Sequence, residues 1–537
     1  MNGPQKHVAG DITAFLWGLV WPLLLGAALG AVLVFLLRRR GLRWTWSLLG
    51  LPLTYCAWFG PDRRAAVVLG AATVSAIWLG RRVHAEGIAL GGEEASHERD
   101  ALGPFGFLRG RLARLADGRR RPRADTMTIG RGRHGRPRRV PVGGPGHGVH
   151  VLVPGATGSG KTVTQASILV AHVSRGQGAV VIDPKDDPGL YEETARAAAA
   201  AGARLRTWRP DGSCVYNPLG RGGVDEIADK ALAAHEWSEP HYEMAVRRLL
   251  GLVLATMRDT GLWPPTLSDL VEHMHPDRLD ALADRAGDEE LGAAVRAYVD
   301  GLDGGARSDL RGGRDRLAVL AESELGRRLD PARGEGEEID LAAAFERGDV
   351  VYFGVAADRY PIAARLLTSA LLVDLIGISA VRQRAPRGGV VLIDEFGAVA
   401  ADLVSRLFAR SRGAGISMIL GTQTLADLRA VGEGTDVLTE QVISNVAYTV
   451  AHRIPDPDSA ERLARMAGTQ PAWAVTQQVE GHALLPSGQG TRTRQRDFRV
   501  PPDRFKSLRT GEAVLIHPTA PRPAEVIRVT PARRGER

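Results

Sequence analysis

Cys56 and Cys214 are the only cysteines in 537 residues, which excludes a disulfide framework and suits a reducing cytosol for the soluble part. Lysine is nearly as scarce, with five, at positions 6, 161, 185, 230 and 506, and two of them, Lys161 and Lys185, fall in motifs. The bulk of the chain also lacks an excess of positive charge. The formal net charge is +8, but residues 1–149 hold 22 Lys and Arg against 9 Asp and Glu, so residues 150–537 carry a net of −5. That excludes a basic body that holds nucleic acid by bulk attraction. Most of the excess lies between Arg109 and Arg139, and reads as a linker facing anionic lipid in preference to DNA. The length is too great for one ordinary core and implies two or more domains.

A phosphate-loop pattern is present. Gly155-Ala156-Thr157-Gly158-Ser159-Gly160-Lys161-Thr162 follows the apolar run His150–Val153 and opens a stretch with helical apolar spacing at Ile168, Leu169, Val170 and Val173. In this Walker A spacing the glycines let backbone N–H groups face phosphates. Lys161 supplies charge to the β and γ groups, and Thr162 offers a hydroxyl to Mg²⁺. Far downstream, Val390–Ile393 runs into Asp394-Glu395-Phe396, a Walker B strand. Asp394 would hold Mg²⁺, and Glu395 would polarise the water that attacks the γ-phosphate. ATP and Mg²⁺ are the expected cofactors, and ATP hydrolysis the expected reaction.

Ala14–Leu37 is uncharged and long enough to cross a hydrocarbon core of about 30 Å. It lacks a basic head, and Arg38-Arg39-Arg40 follows it in place of a cleavage site, so it is expected to stay as an anchor. Two shorter apolar runs follow, Trp44–Gly60 and Ala65–Gly80. With ATP in the cytosol and Arg38–Arg43 inside by the positive-inside rule, three crossings with the N-terminus outside are expected; a two-crossing anchor is the alternative. Either is a multi-pass protein of the cell membrane with a cytoplasmic ATPase.

Beyond the loop, Ala179–Ile182 leads into Asp183-Pro184-Lys185, a second strand-like run spans Arg204–Arg209, and Tyr216-Asn217-Pro218-Leu219 follows. The order of Walker A, strand to Asp-Pro-Lys, Tyr-Asn-Pro-Leu, Walker B with Asp-Glu-Phe, and Gly421-Thr422-Gln423 resembles the conjugative coupling proteins of type IV secretion, the TraG/TraD kind. The resemblance covers roughly residues 130–530. It implies a membrane-anchored, hexameric RecA-like ATPase that hands relaxase-bound single-stranded DNA to a secretion or conjugation channel. It also implies that Gln423 senses the γ-phosphate and that Arg410 or Arg412 reaches a neighbour's ATP. The family often has Gly-Glu after Asp-Pro-Lys; here Asp186-Asp187 stands there. Rival readings are a double-stranded DNA pump of the FtsK or HerA kind, which would usually end in a winged-helix module, and an ATP-binding adaptor that docks secreted proteins.

Residues 225–340 show helical spacing at Leu249, Leu250, Val253, Leu254, Leu267, Leu270 and Val271, with a break expected over Gly301–Gly313. The expected fold is α/β, a RecA-like P-loop NTPase domain with an all-α insertion, preceded by transmembrane helices. The expected divisions are an anchor at 1–82, a basic linker at 83–140, the ATPase domain at 141–224 and 341–537, and the insertion at 225–340. Val350–Val355, Ile416–Leu420 and Ala513–Ile516 supply further strands, the last at an edge.

Overall fold

The computed structural model describes residues 5–40, 42–89, 125–132, 135–233, 237, 240–395, 401–426, 437–477 and 490–531. Phe396 and the linker stretch 90–124 lie outside them. The chain forms two compact units, one of residues 1–121, 131–137 and 469–499, the other of 122–130, 138–468 and 500–537.

In the first unit two long helices, Gln5–Arg39 and Arg63–Ala89, pack together. Small residues permit the contact. A Cβ on Gly26 would lie 2.5 Å from the Val68 carbonyl oxygen, and one on Gly30 2.5 Å from that of Ala72, the close approach typical of helix pairs in lipid. Val20–Arg39 and Arg63–Val83 are apolar enough to cross a membrane, and Trp21, Phe35, Val74 and Trp78 are exposed on them. The expectation of a third crossing fails at Trp44–Gly60. That run is split into a 3₁₀ turn, Trp44–Leu49, and a nine-residue helix, Gly50–Trp58. At 1.5 Å per residue the helix is about 14 Å long, half a hydrocarbon core. Gly50 lies against Thr73 and Gly80 against Trp44, so the run folds back on the second long helix. The same unit holds an antiparallel pair of β12 (Thr469–Gln477) and β13 (Gly490–Phe498).

The second unit is built on an eleven-stranded sheet. Its strands are β1 (Thr126–Arg131), β2 (Pro137–Pro141), β3 (Val151–Pro154), β4 (Gly178–Asp183), β5 (Leu205–Trp208), β8 (Val350–Gly354), β9 (Gly389–Ile393), β10 (Ile416–Thr422), β11 (Tyr448–Ala451), β14 (Glu512–Ile516) and β15 (Ala524–Val529), in the order β2-β1-β15-β14-β11-β3-β10-β9-β4-β8-β5. From β11 to β5 all pairings are parallel. Most of these strands are rich in apolar residues because both their faces are buried, whereas β5, at the end of the sheet, alternates between half-buried Leu205 and Thr207 and buried Arg206 and Trp208. The helix Pro361–Arg382 has the length and hydropathy of a membrane span, but most of its residues are buried in this unit.

Two expectations about the sheet are corrected. Ala513–Ile516 is not an edge strand, because β15 and β1 continue the sheet beyond it. The basic stretch is not a linker throughout to 140, since Thr126–Arg131 and Pro137–Pro141 join the sheet, with Ile129 and Val140 fully buried.

Between the short strands β6 (Cys214–Val215) and β7 (Glu337–Glu338), which pair in parallel, the chain is helical, from Val224–Leu232 through Pro240–Asp259 to Gly304–Ala321. Leu249, Leu250, Val253, Leu254, Leu267 and Leu270 form its buried stripe. The break expected over Gly301–Gly313 is confined to the turn before Gly304. Asp303 caps the helix through the Ala306 N–H at 2.7 Å, and Gly312 and Gly313 lie inside it. A Cβ at those two positions would meet the Tyr242 hydroxyl at 2.3 Å and Val246 Cγ2 at 2.6 Å, so the glycines serve helix packing.

Candidate nucleotide site

The carboxyl ends of the parallel strands converge on one edge of the sheet, the usual place for a ligand in such folds. Pro154 stands beside Thr422, Ile393 beside both Leu420 and Ile182, and Asp183 beside Gly354. The phosphate loop leaves β3 here and enters the helix Lys161–Val173. Gly158 and Gly160 take positive φ, 72° and 104°, a region that disfavours any Cβ. Gly155 donates its N–H to the Thr422 carbonyl at 3.0 Å, and Ala156 to that of Arg453 at 2.9 Å, which fixes the loop between two strands.

Lys161 and the Walker B acids meet. The Lys161 ammonium lies 2.6 Å from Glu395 Oε1 and 3.1 Å from Asp394 Oδ1. Burial alone would lower its pKa, but Asp394 and then Glu395 outweigh that and hold it above its ordinary value. Asp394 also accepts from Gln165 Nε2 at 2.7 Å. That pair sits over Gly421, where a Cβ would lie 2.1 Å from Gln165 Nε2 and 2.2 Å from Asp394 Oδ1. Thr162 stands half-buried in the first turn of the helix, and Gln423 follows Thr422 at the end of β10. The structure therefore brings Gly155–Thr162, Asp394, Glu395 and Gln423 to one edge.

The chain does not bring Arg410 and Arg412 to that edge. Both are exposed, and the Arg412 carbonyl accepts from Gly148 N–H, ahead of β3. They lie at the amino end of β10, about 20 Å of strand from the loop.

The donor set fits a triphosphate with Mg²⁺. The amino end of the helix and the loop offer N–H groups to phosphate, and Lys161 is a buried cation. Among the described residues, the Ser159 hydroxyl and Gln165 Oε1 are buried there without a hydrogen-bond partner. Thr162 and Asp394 would hold the metal, which would draw charge from the phosphate oxygens.

His452 supports the loop without any local sequence signal, whereas the Asp183–Asp187 turn arises from a motif. His452 Nε2 lies 2.8 Å from Thr164 Oγ1, and a Cβ on Gly155 would lie 2.6 Å from His452 Cβ. Burial lowers the His452 pKa to about 4, so the ring beside Lys161 is neutral. Asp183 accepts N–H bonds from Lys185, Asp186 and Asp187 at 3.0, 3.1 and 2.7 Å and the Tyr352 hydroxyl at 2.7 Å. Burial nevertheless raises its pKa to about 6 against those bonds. Asp186 has φ of 55°, a left-handed conformation where glycine is the usual residue. Asp187 caps the next helix through the Gly189 N–H at 2.9 Å.

Tyr216-Asn217-Pro218-Leu219 forms the junction with the helical insertion. The Tyr216 hydroxyl donates to Asp374 Oδ2 at 2.5 Å, and Lys230 Nζ, fully buried, donates to Asp374 Oδ1 at 2.5 Å. The Asn217 amide donates to the Pro265 carbonyl at 3.0 Å.

Residues 390–509 match the family described as "TraM recognition site of TraD and TraG". No curated protein matches the sequence. The fold is similar to that of "Bacterial conjugative coupling protein TrwBdeltaN70", with a TM-score of 0.53 and 18% identity over 78% of this chain and 91% of that one. It is similar too to "Plasmid coupling protein TrwB in complex with ADP and Mg2+", with a TM-score of 0.53 and 18% identity over 80% and 94%. Residues 390–509 thus match a TraD and TraG family model, in a chain whose fold is similar to that of the conjugative coupling protein TrwB.

Proposed function

We propose that the chain is a membrane-anchored ATPase that couples a DNA substrate to a type IV secretion or conjugation channel and drives its transfer. The observation that carries this reading is the meeting of Lys161 with Asp394 and Glu395 at the sheet edge, in a chain whose residues 390–509 match the TraD and TraG family. Gly155–Thr162 bind the phosphates of ATP. Lys161 neutralises the β and γ groups, Glu395 takes the proton of the attacking water, and Gln423 reports the γ-phosphate to β10. Thr162 and Asp394 hold Mg²⁺. Arg410 or Arg412, on the far side of its own subunit's sheet, serves a neighbour's ATP in a homo-hexamer. The cargo is single-stranded DNA with its relaxase, and residues 390–509 offer a site for a TraM-like partner.

The two long helices cross the cell membrane, with the N-terminus and the ATPase both in the cytoplasm. Trp44–Trp58 and its flanking Arg38–Arg43 then lie on the outer side, against the positive-inside expectation, because two crossings with a cytoplasmic ATPase leave the connecting turn outside. Cys56 is exposed and Cys214 buried, so a membrane-impermeant maleimide added to intact cells tests this topology directly. Labelling of Cys56 is expected, and its protection both before and after the cells are opened, as for a thiol held within lipid, argues for the three-crossing arrangement.

The motor reading is tested on the full chain in lipid nanodiscs. The net-acidic body predicts DNA contacts from loops that add up only in a ring, so single-stranded DNA should raise ATP turnover where rings form, and less at high salt. Assembled rings that hydrolyse ATP with no response to any DNA would favour the protein-docking alternative.

A further inference from the structure

Lys185 is one of only five lysines and lies outside the Walker motifs, yet its ammonium stands 3.6 Å from Glu395 Oε1. The same oxygen accepts from Lys161 at 2.6 Å. Two cations thus converge on one carboxylate oxygen, one buried at the phosphate loop and the other half-exposed on the neighbouring strand's exit turn.

The turn that presents Lys185 is braced on every side. The Asp183 carboxylate gathers the N–H groups of Lys185, Asp186 and Asp187. Asp186 is locked in its left-handed conformation by Arg209, whose Nε and Nη2 donate to Asp186 Oδ2 at 3.0 and 2.8 Å. Gly354 leaves room for that carboxylate, since a Cβ there would lie 2.0 Å from Asp186 Oδ1. Glu395 itself has φ of 46°, a conformation that costs a non-glycine residue of order 1 kcal/mol and persists only when its surroundings hold it. The Lys185 turn and the Glu395 backbone are therefore both constrained, and they point their charged groups at each other.

We propose that Lys185 is the positioning residue for Glu395 during turnover. The inference rests on the reading of Glu395 as the base. A phosphate chain on the loop competes with Glu395 for the Lys161 ammonium and draws it toward the γ-phosphate, because the phosphate oxygens carry more negative charge than one carboxylate. Lys185, on a strand with no part in phosphate binding, then remains as the cation that orients the Glu395 carboxylate. The Asp183 cap and the Asp186–Arg209 pair keep it there. Lys185 transfers no proton and touches no phosphate.

The test compares Lys185→Ala, Lys185→Arg, Glu395→Gln and the double variant Lys185→Ala/Glu395→Gln in the full chain, by steady-state ATP hydrolysis and by binding of a fluorescent ATP analogue. For Lys185→Ala, kcat is expected to fall about tenfold, a share of the roughly 10²–10⁴-fold that a positioned base supplies, with KM and analogue affinity unchanged. Lys185→Arg should restore most of kcat, and the double variant should be no slower than Glu395→Gln alone. An unchanged kcat in Lys185→Ala, beside a dead Glu395→Gln, overturns the inference and leaves the ATPase reading standing. A raised KM, or a double variant slower than Glu395→Gln, overturns it by placing Lys185 on the nucleotide. Full turnover in Glu395→Gln defeats the underlying reading instead.

Discussion

Replacing Lys230 with Met removes the ammonium bonded to Asp374, and the structure sets the size of the effect. Lys230 has no exposed surface and Asp374 is 5% exposed, with 2.5 Å between Lys230 Nζ and Asp374 Oδ1. Burial raises the Asp374 pKa, and Lys230 is the principal group opposing that shift. Without it the carboxylate keeps the Tyr216 hydroxyl but loses its cation. Breaking a buried pair from one side costs about 3–5 kcal/mol, whereas replacing both partners by apolar groups of similar volume is often neutral. Lys230→Met and Asp374→Leu should each destabilise the contact between the helices Val224–Leu232 and Pro361–Arg382 by that amount. The double variant should cost far less than the sum. Amide hydrogen exchange of those two helices reads the effect locally, which suits a chain whose global unfolding is not two-state. At about 1.4 kcal/mol per decade, protection should fall roughly 10²- to 10³-fold or more in each single variant and recover in the double. Equal losses in single and double variants, or a loss under tenfold in Lys230→Met, would refute the reasoning.

The buried histidines predict acid sensitivity. Burial lowers the pKa of His150, His172 and His452 to about 4 each, below the unfolded value of about 6.5, so unfolding takes up protons and stability is lost as pH falls from 6.5 toward 4. Asp183, raised to about 6, works in the opposite sense, its contribution fading as pH rises through 6. The net slope from these four groups near pH 5 is about 2.5 kcal/mol per unit, and His172→Asn should reduce it by about 1.2, read from the pH dependence of amide protection in the sheet. Gly421→Ala drives a methyl into the Gln165–Asp394 pair and should cut ATP hydrolysis about 100-fold with the fold retained, since small misplacements of a site cost that much; turnover near wild type would show that the pair yields freely. Inactive Arg412→Ala and inactive Lys161→Ala subunits should regain partial activity when mixed, because some interfaces then hold one intact site. No recovery at any ratio, with co-assembly demonstrated, would count against an arginine in trans, and Arg410→Ala is tested in the same way.

The phosphate loop and the Asp394-Glu395 strand end were legible in the sequence because each is local. A glycine spacing beside an apolar run, or an apolar run that ends in acids, needs no knowledge of the rest of the chain. Six of the seven parallel strands were legible for a related reason, since burial on both faces favours apolar runs; Tyr448–Ala451, with a tyrosine and a threonine among its four residues, does not stand out as one. The antiparallel end was harder to read. Thr126–Arg131 buries Ile129 fully among polar and half-buried neighbours, and Ala524–Val529 has one fully buried residue, Ile527, so neither announces a strand and Ala513–Ile516 looks terminal. Gly312 and Gly313 look like breakers because glycine costs about 1 kcal/mol in a helix, yet packing against Tyr242 and Val246 overrides the propensity. The His452–Thr164 contact joins residues 288 apart, and the Asp186–Arg209 brace depends on a backbone angle, so neither leaves a pattern along the chain. Trp44–Gly60 was apolar enough for a short span, and its contacts at Gly50 and Gly80 decided otherwise.

ATP hydrolysis by the full chain in nanodiscs with Mg²⁺ and single-stranded DNA, measured beside nucleotide binding for wild type, Lys161→Ala and Glu395→Gln, tests the central claim most directly. The wild type should hydrolyse ATP and respond to DNA. Lys161→Ala should lose binding and turnover together, while Glu395→Gln should bind as the wild type does with turnover at least about 100-fold lower. Wild-type turnover in the Glu395→Gln variant, or none in the wild type under any of these conditions, would contradict the account.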